Sequence, residues 1–176
     1  MEAIVMKHDG LVRLVLAALF AALSCIATML IQIPIPATGG YVNLGDCVVL
    51  LGAFMLNPVF GFFAGALGSM MADILLGYAA YAPGTFIIKG LTALTAALIF
   101  RAGRRSTPAL VLGGVMGEVV MVLGYFAYEA LALGYGLSAA ASMPANAIQG
   151  AVGLILAVCA HKALCRVPGI NKYSHS

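Results

Sequence analysis

Residues 109–133 read ALVLGGVMGEVVMVLGYFAYEALAL, an apolar run whose only charged members are Glu118 and Glu129. A run of this length predicts a helix that crosses a bilayer, because ~20 residues rising 1.5 Å each span a hydrocarbon core of about 30 Å. A charge at bilayer depth costs roughly 2.5–3.5 kcal/mol on insertion scales, so it persists mainly where it lines a site or a pathway. Both glutamates are therefore candidate functional residues.

The rest of the chain has the same character. Hydrophobic residues make up 63% of the 176 residues, charged residues 9%, and the mean hydropathy is +1.07, more than a water-soluble core of this size requires. We predict one all-α domain over residues 1–176, a polytopic membrane protein formed by a bundle of six transmembrane helices. Its apolar segments, separated by Pro- and Gly-containing breaks, are residues 11–32, 46–56, 59–77, 84–100, 109–133 and 143–164. The second is too short to cross unaided, which predicts a short or tilted helix.

The cations indicate the orientation, because Lys and Arg collect in cytoplasmic loops. With both termini cytoplasmic, the three outer connections contain neither Lys nor Arg. Eight of the nine cations then lie on the inner side: Lys7, Arg13, Arg101, Arg104, Arg105, Lys162, Arg166 and Lys172. Only Lys89 departs from this topology. The net charge of +3 therefore reflects membrane orientation, and the chain has no basic stripe suited to nucleic acid.

Polar residues inside the apolar segments gather near the outer face. Asp73 and Glu129 each lie about one turn from the outer end of their helix, and Lys89 lies ~8 Å inward. Two amides begin the last helix, Asn146 and Gln149. We therefore expect these side chains to converge on one outer cavity.

The fifth helix supplies the depth of that cavity. Glu118, Tyr125 and Glu129 are separated by seven and four residues, a spacing that places them along one helix face. Glu118 is then expected at the floor, near mid-membrane.

Two outer loops could close over the cavity, residues 34–46 and residues 77–84. Each mixes glycine, proline and tyrosine, and together they contain Tyr41, Asn43 and Tyr81. Glycine lets backbone approach a ligand closely, and tyrosine offers a flat apolar face with a polar tip. These properties suit a small, planar, hydrogen-bonding solute.

Each of these residues also has a plain structural interpretation. Asp46 is placed to cap the second helix. Lys89 could snorkel to the interface, and Asp46 or Asp73 could face water or pair with Lys89. Tyr78 and Tyr135 fit an interfacial aromatic belt.

The first helix has two interleaved small-residue ridges, Ala17 with Ala21 and Ala18 with Ala22. Small residues let helices approach closely in a membrane. These alanines are either a docking surface for another membrane protein or contacts within the bundle.

The chain resembles the substrate-binding S components of energy-coupling factor (ECF) vitamin transporters over nearly its whole length. The resemblance rests on six spans, on the four alanines, and on the strings GYVNLGD at residues 40–46 and YAPGTFIIKG at residues 81–90. The riboflavin and hydroxymethylpyrimidine branch is indicated by Gly117 with Glu118, by GYF at residues 124–126 and by PANAIQG at residues 144–150.

The resemblance implies a multi-pass subunit of a prokaryotic cell membrane that binds a vitamin and has no catalytic residue or metal site. A transmembrane coupling protein, docked on the four alanines, and two cytoplasmic ATPases would be its partners. ATP would be used by those partners, and this chain, which lacks a P-loop, would bind no cofactor. The substrate-binding residues we predict are Tyr41, Asn43, Tyr81, Lys89, Glu118, Tyr125, Glu129, Asn146 and Gln149.

The absence of tryptophan argues against intact thiamine, since the thiamine-binding branch uses an indole platform. A hydroxymethylpyrimidine or pyridoxine-like ring ranks first and riboflavin second, because carboxylates and amides can bond ring nitrogens, an amine or a hydroxymethyl group.

Two alternatives stay open. A self-sufficient carrier or channel would distribute charges along the full depth, often with an internal repeat. An intramembrane enzyme would draw on Glu118, His161 and Asp73, but the last two are predicted at opposite ends of the bundle.

Overall fold

The computed structural model of the protein describes residues 2–167, with side chains from residue 10 onward. Lys172 lies outside the described residues, as does the side chain of Lys7. The elements are α1 (Glu2–Leu30), β1 (Gln32–Ile35), β2 (Gly40–Asn43), α2 (Gly45–Met55), α3 (Pro58–Leu75), α4 (Ala82–Ala102), α5 (Thr107–Ala127), a π-helical turn (Tyr128–Ala132), a 3-10 segment (Gly136–Ser142) and α6 (Met143–Leu164). The prediction of a largely helical chain is confirmed.

Five helical stretches within the described residues are long and apolar enough to cross a membrane: Gly10–Leu30, Pro58–Leu75, Ala82–Ala102, Thr107–Ala132 and Gly136–Leu164. The remaining helix, α2, has 11 residues and is only ~16 Å long. The predicted short second helix is present. The described bundle therefore has five span-length helices and one short helix, and not six full spans.

The outer loop predicted at residues 34–46 contains a short hairpin, which the all-α prediction did not include. β1 and β2 form an antiparallel hairpin in which Ile33 lies opposite Val42 and Pro34 opposite Tyr41. The prolines and glycines that end α1 do exclude helix. The β-branched and aromatic residues between them favour a pleated strand, and Gly39 supplies a positive φ of 65° in the turn.

Local sequence signals set the starts of α3 and α5. Asn57 caps α3 by accepting a hydrogen bond from the Phe60 N–H at 2.9 Å, and Ser106 caps α5 by accepting one from the Ala109 N–H. A proline follows each cap in the first turn, where its missing N–H is not needed. Both helix starts fall in the Pro-containing breaks predicted between the apolar segments.

α4 lies at the centre of the bundle, between α3 and α5. A Cβ atom built at Gly113 would come 2.7 Å from the Ala96 carbonyl oxygen, and one at Gly117 would come 2.9 Å from the Thr92 carbonyl oxygen. Only glycine permits this approach of α5 to α4. The apolar core lies beside it and includes Val49, Leu50, Phe54, Ala93, Ala96, Ala97, Phe100 and Leu110.

The alanines of α1 divide between two surfaces. Ala17 is buried and Ala21 half-buried, whereas Ala18 and Ala22 are exposed. The first ridge packs on α3, where a Cβ at Gly68 would collide with the Ala21 carbonyl oxygen. Intramolecular packing therefore explains one ridge, and the other remains open on the outer surface of the bundle.

Candidate substrate-binding site

A cavity of about 20 Å³ lies at the end of the bundle that carries the hairpin, called the hairpin end below. This is room for about one water molecule. Every helix except α2 contributes to its lining, and so does the hairpin. The lining residues are Thr28, Ile35, Gly40, Tyr41, Asn43, Ser69, Asp73, Tyr81, Thr85, Lys89, Tyr125, Glu129, Asn146 and Gln149. Twelve of these fourteen residues have polar side chains, the exceptions being Ile35 and Gly40, so the cavity is suited to hydrogen bonding.

The first polar network joins four elements through Asp46. Lys89 forms an ion pair with one Asp46 oxygen, and the two side chains are 2% and 0% exposed. The other Asp46 oxygen accepts a hydrogen bond from the Gln149 amide at 2.5 Å. Gln149 in turn accepts one from the Asn43 backbone N–H at 2.6 Å. The network therefore ties β2, α2, α4 and α6 together beneath the cavity.

This pairing corrects one expectation and decides between two others. Asp46 was expected to cap α2, but it makes no capping hydrogen bond and lies inside the first turn. Asp46 and Asp73 were both considered as structural partners of Lys89, and the ion pair is with Asp46. Asp46 therefore takes the less favoured of its two predicted roles, because its position at a helix start also offered a local explanation.

The second network is built on α3. The Tyr41 hydroxyl donates a hydrogen bond to Asp73 Oδ1 at 2.6 Å, and the Tyr41 ring lies against Tyr78 with centroids 4.5 Å apart. Burial, followed by the neighbouring Asp73 carboxylate, raises the pKa of Tyr41. The phenol therefore stays protonated and remains a donor. Asp73 Oδ2 and Ser69 Oγ are buried without a hydrogen-bond partner.

The third network closes the cavity from above. Tyr81 donates to the Thr38 carbonyl oxygen at 2.8 Å and approaches Glu129 Oε1 at 3.2 Å. Ser142 donates to Glu129 Oε2 at 2.5 Å. Glu129 lies in the π-helical turn, a local irregularity that often marks functional positions. Both of its oxygens are thus used to hold the hairpin turn and the 3-10 segment.

Eight of the nine predicted substrate-binding residues line the cavity, and Glu118 does not. Glu118 lies at the base of a groove of about 410 Å³ between α5 and α6, whose other walls are aliphatic. It is 7% exposed, and neither of its carboxyl oxygens has a hydrogen-bond partner. Seven residues separate it from Tyr125, so it lies ~10 Å deeper, below a cavity that ends at the Lys89 network. It interacts electrostatically with Asp46 and Lys89.

The cavity also holds three hydroxyl residues that the sequence interpretation did not select, Thr28, Ser69 and Thr85, and Asp73, which it placed at this cavity without including it among the substrate-binding residues. Thr85 shares a hydrogen bond of 2.9 Å with the Tyr125 hydroxyl. A lone hydroxyl in a transmembrane helix is a weak signal because it can bond its own backbone. Only the packing distinguishes these hydroxyls from others.

The groups considered for acid-base chemistry do not meet. His161 packs edge-on against Phe54 and Phe100, with centroids 5.8 and 5.4 Å away, while Asp73 lines the cavity at the hairpin end. Over the described part of the chain, no three His, Cys, Asp or Glu side chains are grouped closely enough to hold a metal ion. The site is thus an array of hydrogen-bonding groups and aromatic faces, the chemistry of reversible binding.

Comparison with known proteins agrees with this chemistry. Residues 10–166 match the family model described as "ECF-type riboflavin transporter, S component". A relative from Pyrococcus woesei, described as an uncharacterised protein in the gap 3′ region, is 38% identical over 74% of this chain and 86% of its own length. The thiamine precursor transporter HmpT of Lactococcus lactis subsp. cremoris is 28% identical over 86% of this chain and 87% of its own.

A solved structure has the same fold. It is described as the S component of a bacterial ECF transporter, and it superposes with a TM-score of 0.70 over 87% of this chain and 95% of its own at 24% identity. The chain therefore belongs to the S component family of ECF transporters, whose members are membrane-embedded substrate-binding subunits and not enzymes.

Proposed function

We propose that this protein captures a small heteroaromatic vitamin precursor at the hairpin end and delivers it inward as part of an ECF importer. A hydroxymethylpyrimidine or pyridoxine-like ring is the first choice and riboflavin the second. The observation that carries this proposal is the cavity, which is lined by carboxylates, amides, hydroxyls and three tyrosines. Such a lining recognises a planar ring with several polar substituents.

The size of the cavity favours the smaller ring. With a volume of about 20 Å³, any vitamin must displace lining side chains, and a single ring displaces fewer of them than the three fused rings of riboflavin. The similarity to a thiamine precursor transporter supports the same ranking, while the riboflavin description of the family model keeps riboflavin as the alternative.

In this proposal the eight cavity-lining residues predicted from the sequence contact the ligand. Glu118 lies deeper, in the separate groove between α5 and α6, and does not contact the ligand in this proposal. The chain itself binds no cofactor.

The proposed orientation has both termini in the cytoplasm of a prokaryotic cell and the hairpin end outside. A coupling protein and two ATPases supply the energy, and the coupling protein docks on α1. The exposed ridge of Ala18 and Ala22, flanked by exposed Leu14 and Leu19, is the part of α1 left free for such contact. Ala18→Leu is expected to spare ligand binding and to abolish coupled uptake. Normal uptake by this variant would rule out docking at that ridge.

The substrate is tested by thermal unfolding of the purified protein in detergent with a panel of B vitamins and their precursors. A ligand bound only by the native state raises its stability by RT ln(1 + [L]/Kd). A selective shift with a pyrimidine or pyridoxine-like ring is expected. A folded, ligand-free preparation that responds to no vitamin would contradict the proposal.

One observation favours a second candidate, an ion-coupled carrier. Glu118 is a buried carboxyl without hydrogen-bond partners deep in the bundle, and such groups mark ion or proton paths in transporters. Uptake in cells or vesicles that lack every ECF coupling module would support the carrier. Uptake that requires the module would exclude it.

A further inference from the structure

Ser69 and Asp73 stand one helical turn apart on α3 and both line the cavity. Their side chains are 1% and 3% exposed. Ser69 Oγ and Asp73 Oδ2 nevertheless have no hydrogen-bond partner. Buried polar atoms are nearly always paired in native proteins, so two unpaired atoms on one wall of a binding cavity indicate the place where a ligand bonds.

The other carboxylates at the hairpin end do not share this property. Asp46 uses one oxygen for Lys89 and the other for Gln149. Glu129 Oε2 accepts a hydrogen bond from Ser142, and Glu129 Oε1 lies 3.2 Å from the Tyr81 hydroxyl, whose hydrogen it shares with the Thr38 carbonyl oxygen. Asp73, which also lies against the Thr85 side chain, is the cavity carboxylate with an oxygen, Oδ2, that has no hydrogen-bond partner.

Tyr41 fixes which oxygen that is. Its hydroxyl donates to Asp73 Oδ1 at 2.6 Å, which orients the carboxylate and leaves Oδ2 as an acceptor. Ser69 Oγ offers a second acceptor on the same wall, one turn away. Two neighbouring acceptors match the two hydrogens of an amino group, which no single hydroxyl and no carbonyl can supply.

We propose that Asp73 Oδ2 and Ser69 Oγ bind the ring amino group of the substrate, and that this wall selects an aminopyrimidine over analogues that lack the amine. The inference rests on the proposed function and adds the specificity-determining residues. An oxo group in place of the amine is itself an acceptor, so it would face the acceptor oxygen of the Asp73 carboxylate without a hydrogen between them. The Asp73 carboxylate would also repel an anionic vitamin. The Lys89 cation does not offset this repulsion, because it is already paired with Asp46.

The test is isothermal titration calorimetry in detergent with two probes: hydroxymethylpyrimidine carrying its amino group, and the analogue with hydrogen in place of that group. Asp73→Asn is expected to weaken binding of the amino compound by ~10- to 100-fold, as for a lost hydrogen bond to a charged group. Its affinity for the analogue should change by less than about threefold. In this variant the Tyr41 hydroxyl still donates, so the asparagine oxygen takes the position of Asp73 Oδ1. The asparagine NH₂ then takes the position of Oδ2, where one donor faces the amino group, another donor.

Ser69→Ala is expected to weaken the amino compound by about 3- to 10-fold and to spare the analogue. The matched control is Ser24→Ala. Ser24 Oγ is also buried and unpaired, with 1% exposure, but Ser24 does not line the cavity. This variant should bind both probes as the wild type does.

The outcomes separate the inference from the proposed function. Wild-type protein that binds no vitamin or precursor contradicts both. Wild-type protein that binds riboflavin alone, or that binds both probes equally, overturns the inference and leaves the transporter subunit intact. Loss of both probes to the same extent in Asp73→Asn also overturns it. If Asp73→Asn does not yield folded protein, the wild-type preference between the probes and the Ser69→Ala variant decide.

Discussion

The cavity at the hairpin end and the groove between α5 and α6 both contain buried carboxyl groups, but the carboxyl groups of the cavity are hydrogen-bonded and that of the groove is not. Around the cavity, Asp46 and Glu129 are bonded through both oxygens and Asp73 through one, and the free volume is about 20 Å³. In the groove, Glu118 has no partner and the free volume is about 410 Å³. The comparison shows that the free volume is small where the carboxyl groups are paired. The paired groups hold four elements close together, whereas the aliphatic groove has no such pairs between its walls.

The largest expected effect comes from breaking the pair beneath the cavity. Lys89→Met leaves the Asp46 carboxylate buried without its cation, and we expect about 3–5 kcal/mol of lost stability. Thermal or denaturant unfolding in detergent measures it. The double variant Lys89→Met with Asp46→Asn should recover most of the loss, because no charge is left unpaired. A double variant as unstable as the single one would show that packing and not charge is responsible.

A smaller loss of stability is expected when the hydrogen bonds of Tyr81 above the cavity are removed. Tyr81→Phe removes the hydrogen bonds to Thr38 and Glu129, and we expect about 1–3 kcal/mol of destabilisation because buried acceptors lose a donor. Tyr128→Phe is the matched control, since its hydroxyl bonds the Ala80 carbonyl at an exposed position, and less than about 1 kcal/mol is expected there. Equal losses of stability in the two variants would show that the buried hydrogen bonds of Tyr81 contribute no more than the exposed one of Tyr128.

The smallest effect is expected in the groove. Glu118→Leu replaces an unpartnered carboxyl by an apolar group of similar volume, so stability should stay within about 1 kcal/mol of the wild type or rise. The same preparation shows by titration whether ligand affinity is kept. A loss of several kcal/mol of stability would show that Glu118 has a stabilising partner. Its carboxyl group would then resemble those around the cavity.

Much of the site could be predicted from the sequence. Counting residues along each helix locates a side chain in depth, and eight of the nine predicted binding residues do line one cavity. Prediction of the site failed where the contacts of a side chain depend on how its helix is rotated about its axis or on how far the side chain reaches toward another element. Glu118 and Tyr125 share a face by spacing, but the cavity is too shallow to include both. Asp73 was placed at the cavity by its charge inside an apolar segment, whereas Ser69 gave no signal that separated it from structural polar residues.

The sequence by itself determined the membrane class, the helix boundaries at Asn57 and Ser106, and the end of the bundle where polar side chains meet. These follow from hydropathy, capping and a fixed rise of 1.5 Å per residue, which are local properties. Tertiary structure decided that Lys89 pairs with Asp46 and not Asp73, that residues 32–43 form a hairpin, and that one alanine ridge of α1 is buried. Those outcomes depend on which helix faces meet, and packing of the whole bundle selects the faces.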